Sequence, residues 1–173
     1  YNQITSLDLS QNINLIELRC DNNLLSSLNL SQNTGLKILH CWNNQLTDLN
    51  FSGLDSIWEV MCGGNLITGL DLSKNTNLVT LDCGGSTQLS CLNLKNGNKQ
   101  NINGLFTQNC PNLTCIEVDD SVYSTTNWSG GFFFYIDPQN YFSSNCSNGC
   151  SSSQTVWAPP GATWHYQYYN FAF

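Results

Sequence analysis

Apolar positions recur along this chain at a fixed long interval. Leu7, Leu28, Leu49 and Leu70 stand 21 residues apart, and so do Cys20, Cys41, Cys62 and Cys83. Laid over one another, "LDLSQNINLIELRCDNNLLSS", "LNLSQNTGLKILHCWNNQLTD", "LNFSGLDSIWEVMCGGNLITG" and "LDLSKNTNLVTLDCGGSTQLSC" match at their apolar positions, the last being one residue longer before the register decays. Within each copy L-x-x-L-x-C-x-x-N alternates with L-x-x-L-x-L-S-x-N, so apolar side chains turn inward twice between asparagine-rich corners. The pattern predicts two short extended segments per coil and no helix in the repeats. Such coils cannot bury their apolar edges alone and must stack as a solenoid, a mainly β fold of parallel coils.

Stacking places Cys20, Cys41, Cys62 and Cys83 in an inward column, one rung apart. In a narrow, dry slot a free thiol behaves as a small hydrophobe, and that is the role expected here. Zinc does not fit: the outer thiols of a four-rung column lie roughly 14 Å apart, while tetrahedral zinc needs every sulfur about 2.3 Å from one point. Disulfides within the column are disfavoured, because in-register parallel neighbours point alongside rather than toward each other. The amides of Asn23, Asn44 and Asn65 are expected to bond the turning backbone of the next coil.

These motifs resemble the leucine-rich-repeat family, in the short 21-residue variety of secreted and cell-surface proteins of Bacteroidota, over roughly residues 4 to 118. The resemblance implies a leucine-rich-repeat solenoid without a convex helix, closed by a C-terminal cap, with the cysteine-bearing strands lining the binding side. It also implies export by the type 9 secretion system, with a sorting domain beyond Phe173. Five further cysteines, Cys91, Cys110, Cys115, Cys146 and Cys150, lie off the column where the repeats decay. Cys115 is expected at the solvent-facing place that Glu17 holds in the first repeat. Likeness to the closing unit of related flavobacterial repeat proteins implies a Cys115–Cys146 disulfide; Cys91–Cys110 is the second expected pair, leaving Cys150 odd. Connectivity does not follow from sequence alone.

The expected organisation is a solenoid over 1–118, a cap over 119–150, a Ser/Pro/Gly linker over 151–161 and a strand over 162–173. In that strand Trp164, Tyr166 and Tyr168 alternate with His165, Gln167 and Tyr169. It either packs back on the cap or opens a further β domain, the second being favoured. Tyr1 falls directly into a repeat, so the segment reads as a piece of a longer polypeptide.

Composition narrows the function. A net charge of -7 with five Lys plus Arg provides no basic stripe for a phosphate backbone, which argues against nucleic acid. The longest apolar run, "FFFYI" at 132–136, is far short of the roughly 20 residues of a membrane helix, so no membrane insertion is expected. His40 and His165 sit on different units, and no G-x-S-x-G, H-E-x-x-H or phosphate loop occurs. Glu17 and Glu59 share an exposed column roughly 9 to 10 Å apart, near the spacing of inverting glycosidases, but nothing on an open sheet would raise one pKa. No catalysis and no cofactor are expected. Asp119, Asp120 and Asp137 are candidates for calcium, although adjacent acids in a polar turn are more often solvated.

What remains is surface. Outward positions beside the cysteines include Arg19, Ile38, His40, Trp42, Trp58 and Met61, a candidate ligand-binding face. Exposed aromatics on a rigid sheet suit protein hot spots or stacking against sugar rings; the plainer alternative is that the tryptophans cover a strand edge. On the opposite strand Asp8, Asn29, Asn50 and Asp71 form a solvated polar stripe. "DSI" and "DSV" resemble the D-[ST]-aliphatic acceptor of periplasmic O-glycosylation in Bacteroidota, making Ser56 and Ser121 candidate glycan sites. The expectation is a non-catalytic recognition or adhesion module of a larger secreted or cell-surface protein, meeting protein or glycan and the outer-membrane export machinery. A passive spacer is the alternative, and a glycan-acting enzyme a distant third.

Overall fold

The computed structural model describes residues 2–128 and 132–146. The linker and strand expected over 151–173, and Cys150, lie outside them. Very short strands succeed one another: β1 (Glu17–Arg19), β2 (Ile38–His40), β3 (Glu59–Met61), β4 (Gly69–Asp71), β5 (Thr80–Asp82) and β6 (Cys91–Leu94). After them come β7 (Gly104–Phe106), β8 (Cys115–Val118), α1 (Ser121–Asn127), β9 (Phe134–Tyr135) and β10 (Tyr141–Ser143). They build two parallel sheets, one in the order β1-β2-β3-β5-β7-β9 and the other β10-β8-β6-β4. Between the sheets lies a continuous core of leucines and other aliphatics, many with no exposed surface at all.

The anticipated solenoid is therefore present, with two departures. The second extended segment of each coil forms a ladder only from β4 onward. Alternation specifies an extended conformation, but the approach of neighbouring rungs depends on how coils stack, which the alternation does not encode. The region expected to be a cap also continues both sheets, because β9 pairs with β7 and β10 with β8, both in parallel. α1 lies between these added rungs in sequence, with Asp120 as its N-cap accepting the Tyr123 N–H.

Cys20, Cys41, Cys62 and Cys83 are free and buried. Burial pushes the Cys20 thiol up to about 11, and the deeper Cys41 and Cys62 are also raised. All are neutral packing groups at physiological pH. The corner asparagines hold one coil to another, but they reach back to the preceding coil rather than forward. Asn65 Nδ2 donates to the carbonyls of Cys41 and Cys62 at 3.0 and 2.9 Å, while its Oδ1 accepts the Leu46 N–H at 3.0 Å. Asn44 repeats the arrangement one coil earlier. One residue before them the backbone turns left-handed, with φ of 55° at Asn22, 53° at Asn43, 65° at Gly64, 73° at Gly85 and 60° at Asn109. Asparagine and glycine tolerate that conformation best, which explains the composition of this corner.

The off-column cysteines require two corrections. Cys115 does not take the solvent-facing place of Glu17. It lies in β8 on the second sheet, where Gly69 pairs with Cys91 and Leu92 with Ile116, so Cys91 and Cys115 occupy adjacent rungs. There it is buried and bonded to Cys146, the pair that the resemblance implied. Cys91 and Cys110 do not pair, since Cys91 is disulfide-bonded and Cys110 is free. Counted from the left-handed residue, Cys110 occupies the corner place of Asn23, Asn44 and Asn65, and its thiol donates to the carbonyl of Cys83 at 3.3 Å. The repeat had slipped by three residues at this coil, so spacing alone hid the equivalence.

Candidate binding face

Outward residues of the six-stranded sheet form three rows, set by the parallel register. One runs Glu17, Ile38, Glu59, Thr80, Gly104 and the next Arg19, His40, Met61, Asp82, Phe106, Tyr135. A third continues two residues onward through Asp21, Trp42, Gly63 and Gly84. In β1, β3 and β5 the central residue is buried and its neighbours face out, the alternation expected of a sheet with one wet side.

The structure distributes the predicted face residues unevenly. Arg19 is exposed and paired with Glu17, whose carboxylate keeps the guanidinium firmly charged, with Glu59 and Asp21 contributing at longer range. Ile38 and Met61 are half-buried. Trp42 and Trp58 are exposed, at 38% and 36%. They do not share one spot: Trp58 precedes β3, whereas Trp42 follows β2, so they flank opposite ends of the strands. They stand on adjacent rungs, offset by about five residues along the strand direction, or roughly 16 Å.

His40 is the exception among the candidates. Only 6% exposed, it places Nε2 2.6 Å from Glu59 Oε1 across the strand pair. It closes the floor of the face instead of presenting a free imidazole. That bond and the Arg19–Glu17 pair engage the two glutamates whose spacing resembled a glycosidase pair.

The glycines after the cysteines shape the edge beside Trp42. A Cβ on Gly63 would come within 2.4 Å of the Gly84 carbonyl oxygen, and one on Gly84 within 2.8 Å of the Gln108 side chain. Coils approach here at backbone distance, leaving a flat strip next to the indole.

At the other end of the sheet lies a group that the sequence reading passed over. Phe106 in β7 stacks on Tyr135 in β9, ring centroids 5.8 Å apart and planes 15° from parallel, and Phe133 beside them is 64% exposed. "FFFYI" signalled an apolar run; its alternation, with Phe134 inward and Phe133 and Tyr135 outward, was the available clue to a strand joining this sheet.

The calcium candidates do not converge. Asp119 accepts the Gly97 N–H, Asp120 caps α1 and meets Lys99, and Asp137 accepts the N–H groups of Asn109 and Cys110. Among the described residues no group of three or more acids, histidines or cysteines could hold a metal ion. Ser56 is half-buried in a corner and Ser121 is the half-buried first residue of α1. Asp8, Asn29, Asn50 and Asp71 are exposed as expected, each accepting the backbone N–H two residues on. Among the described residues no helix is long and apolar enough to cross a membrane.

No protein-family model matches the chain, and no curated protein matches it. Among solved structures it is similar to the functional domain of InlJ from Listeria monocytogenes, a domain that includes a cysteine ladder. That likeness has 34% identity and a TM-score of 0.53, covering 68% of this chain and 23% of the other. The internalin InlF from the same species gives 20% identity and a TM-score of 0.48, covering 69% and 39%. A leucine-rich-repeat protein of Leptospira interrogans gives 16% and 0.44, covering 78% and 44%. The chain thus spans under half the length of each. Its coils, its thiol ladder and its likeness to the InlJ domain give it the leucine-rich-repeat fold.

Proposed function

We propose that this chain is a non-catalytic recognition module that binds a protein partner across its six-stranded sheet, as part of a larger protein outside the cell. The observation that carries this reading is the exposure of Trp42, Trp58 and Tyr135 on or beside one regular sheet that covers a continuous buried core. Aromatics dominate binding hot spots, and these three stand on ordered strands or at their ends. Rigid presentation lowers the ordering cost of association. A free acid–base pair, which an enzyme acting on glycans would need, has no support on this face, where Glu17 and Glu59 are each engaged.

The test is a pull-down of surface proteins, run beside a glycan array, with the chain and its Trp42→Ala/Trp58→Ala variant. Specific protein capture lost in a folded variant supports the reading. Specific glycan capture lost in the variant changes the ligand class but keeps the face. Unchanged capture by the folded variant takes the binding site off the two tryptophans and overturns the face, and no capture by the correctly folded chain points to a passive spacer.

A further inference from the structure

The middle outward row holds one charge that its surroundings leave uncompensated. Arg19 has Glu17 and His40 has Glu59. Asp82, beyond Met61 in the row, accepts the N–H of Gly84 at 2.9 Å, and among the described residues no cation pairs with it. Its carboxylate is partly buried, and that burial raises its pKa despite the Gly84 bond. A desolvated anion without a counterion is costly, and a cation docking beside it would recover that cost.

What flanks Asp82 suits such a cation. One strand on, Phe106 occupies the rung directly across, and its ring is stacked on that of Tyr135. One strand back stands the half-buried Met61. Aromatic faces carry a negative quadrupole that attracts guanidinium and ammonium groups. The sheet adds charge at longer range, because Glu17, Asp21, Glu59 and Asp137 outnumber Arg19 and Lys37, in a chain of net charge -7. A planar guanidinium can fork onto a carboxylate and lie flat against a ring, which a compact ammonium does less well.

Resting on the recognition surface proposed above, we propose that Asp82 and the Phe106–Tyr135 ring pair form a subsite for an arginine side chain of a basic protein partner. Asp82 supplies the counter-charge, and the rings supply a flat wall that excludes water from it. The partner lies across the strands, so that its remaining contacts fall toward Met61 and Trp42.

The experiment titrates the isotope-labelled chain with acetyl-Gly-Arg-Gly-amide and with the same peptide carrying citrulline, an uncharged analogue of arginine, and follows amide NMR shifts. Saturable shifts are expected at Asp82, Gly84, Phe106 and Tyr135 with the arginine peptide. Binding should weaken at least about tenfold for citrulline and for Asp82→Asn, less for Phe106→Leu, and further as salt is raised. The spectrum of each variant reports its folding. Equal binding of citrulline, or unchanged binding by folded Asp82→Asn, overturns the subsite. So does the absence of shifts at Asp82 when Trp42 and Trp58 are still required for capture of a protein or glycan; that result leaves the recognition surface standing.

Discussion

Replacing Asn65 by alanine tests whether the corner asparagines, rather than the leucine core alone, hold the coils in register. Four backbone groups bond this buried side chain, the carbonyls of Cys41, Cys62 and Gly63 and the N–H of Leu46, and the Gly63 carbonyl keeps the Asn43 N–H at 2.9 Å. Cys41 keeps a second donor in Asn44, at 3.0 Å, so truncation leaves two groups, Cys62 O and Leu46 N, without their side-chain partner. At about 1–3 kcal/mol for each buried unsatisfied group, the loss is about 2–6 kcal/mol. Asn50 is the control, an asparagine of the same coil whose Oδ1 accepts the Ser52 N–H at 2.9 Å on the exposed side. Water replaces that bond, so Asn50→Ala should cost at most about 1 kcal/mol. Urea unfolding followed by circular dichroism measures both. Asn65→Asp sharpens the comparison: it keeps an acceptor for Leu46 but turns a carboxylate toward two carbonyls, and should be at least as damaging as alanine. An Asn65→Ala loss under about 1 kcal/mol, or equal losses at Asn50 and Asn65, would show that the leucine core holds the register without the corner asparagines.

Four further outcomes follow from the geometry. Cys41, Cys62 and Cys83, buried and free, should resist iodoacetamide in the native chain and react only with denaturant present; peptide mapping that finds them labelled at the rate of an exposed thiol contradicts the dry ladder. Gly63→Ala, whose new Cβ would meet the Gly84 carbonyl oxygen at 2.4 Å, should destabilise by about 1–3 kcal/mol in the same urea assay through overpacking. The pKa of Asp82 is raised in the folded state, so its ionisation opposes folding: the native state favours the protonated acid, and that advantage is lost as pH rises through the folded pKa. Asp82→Asn should therefore be more heat-stable than the parent at pH 7, with the gap closing below pH 3.8, the ordinary value; a gap independent of pH removes the linkage argument. Replacing Cys115 and Cys146 by alanine opens a link of sequence separation 31 and should cost about 3–4 kcal/mol. Hydrogen exchange should rise mainly in β8, α1 and β10, and uniform acceleration through β1–β3 would contradict that localisation.

Much of this molecule was legible before any coordinates, for a specific physical reason. Inward positions repeat because a stack of coils gives every rung the same buried slots, so Leu18, Leu39, Val60 and Leu81 with their following cysteines declare the solenoid. The left-handed corners are equally visible, since few residues other than asparagine and glycine tolerate that backbone. Sequence therefore determined the period, the inward column, the corner chemistry and the mainly β class.

Tertiary structure decided what depends on neighbours not adjacent in the repeat. It moved His40 from the open face into a bond with Glu59, set Trp42 and Trp58 at opposite ends of the strands, and placed Cys110 in an asparagine's corner. It also brought Phe106 beside Tyr135, residues from different rungs joined through β7 and β9. Outward side chains are not constrained by the shared core. Their burial, pairing and charge depend on which diagonal neighbours the register supplies, and only the folded sheet sets that.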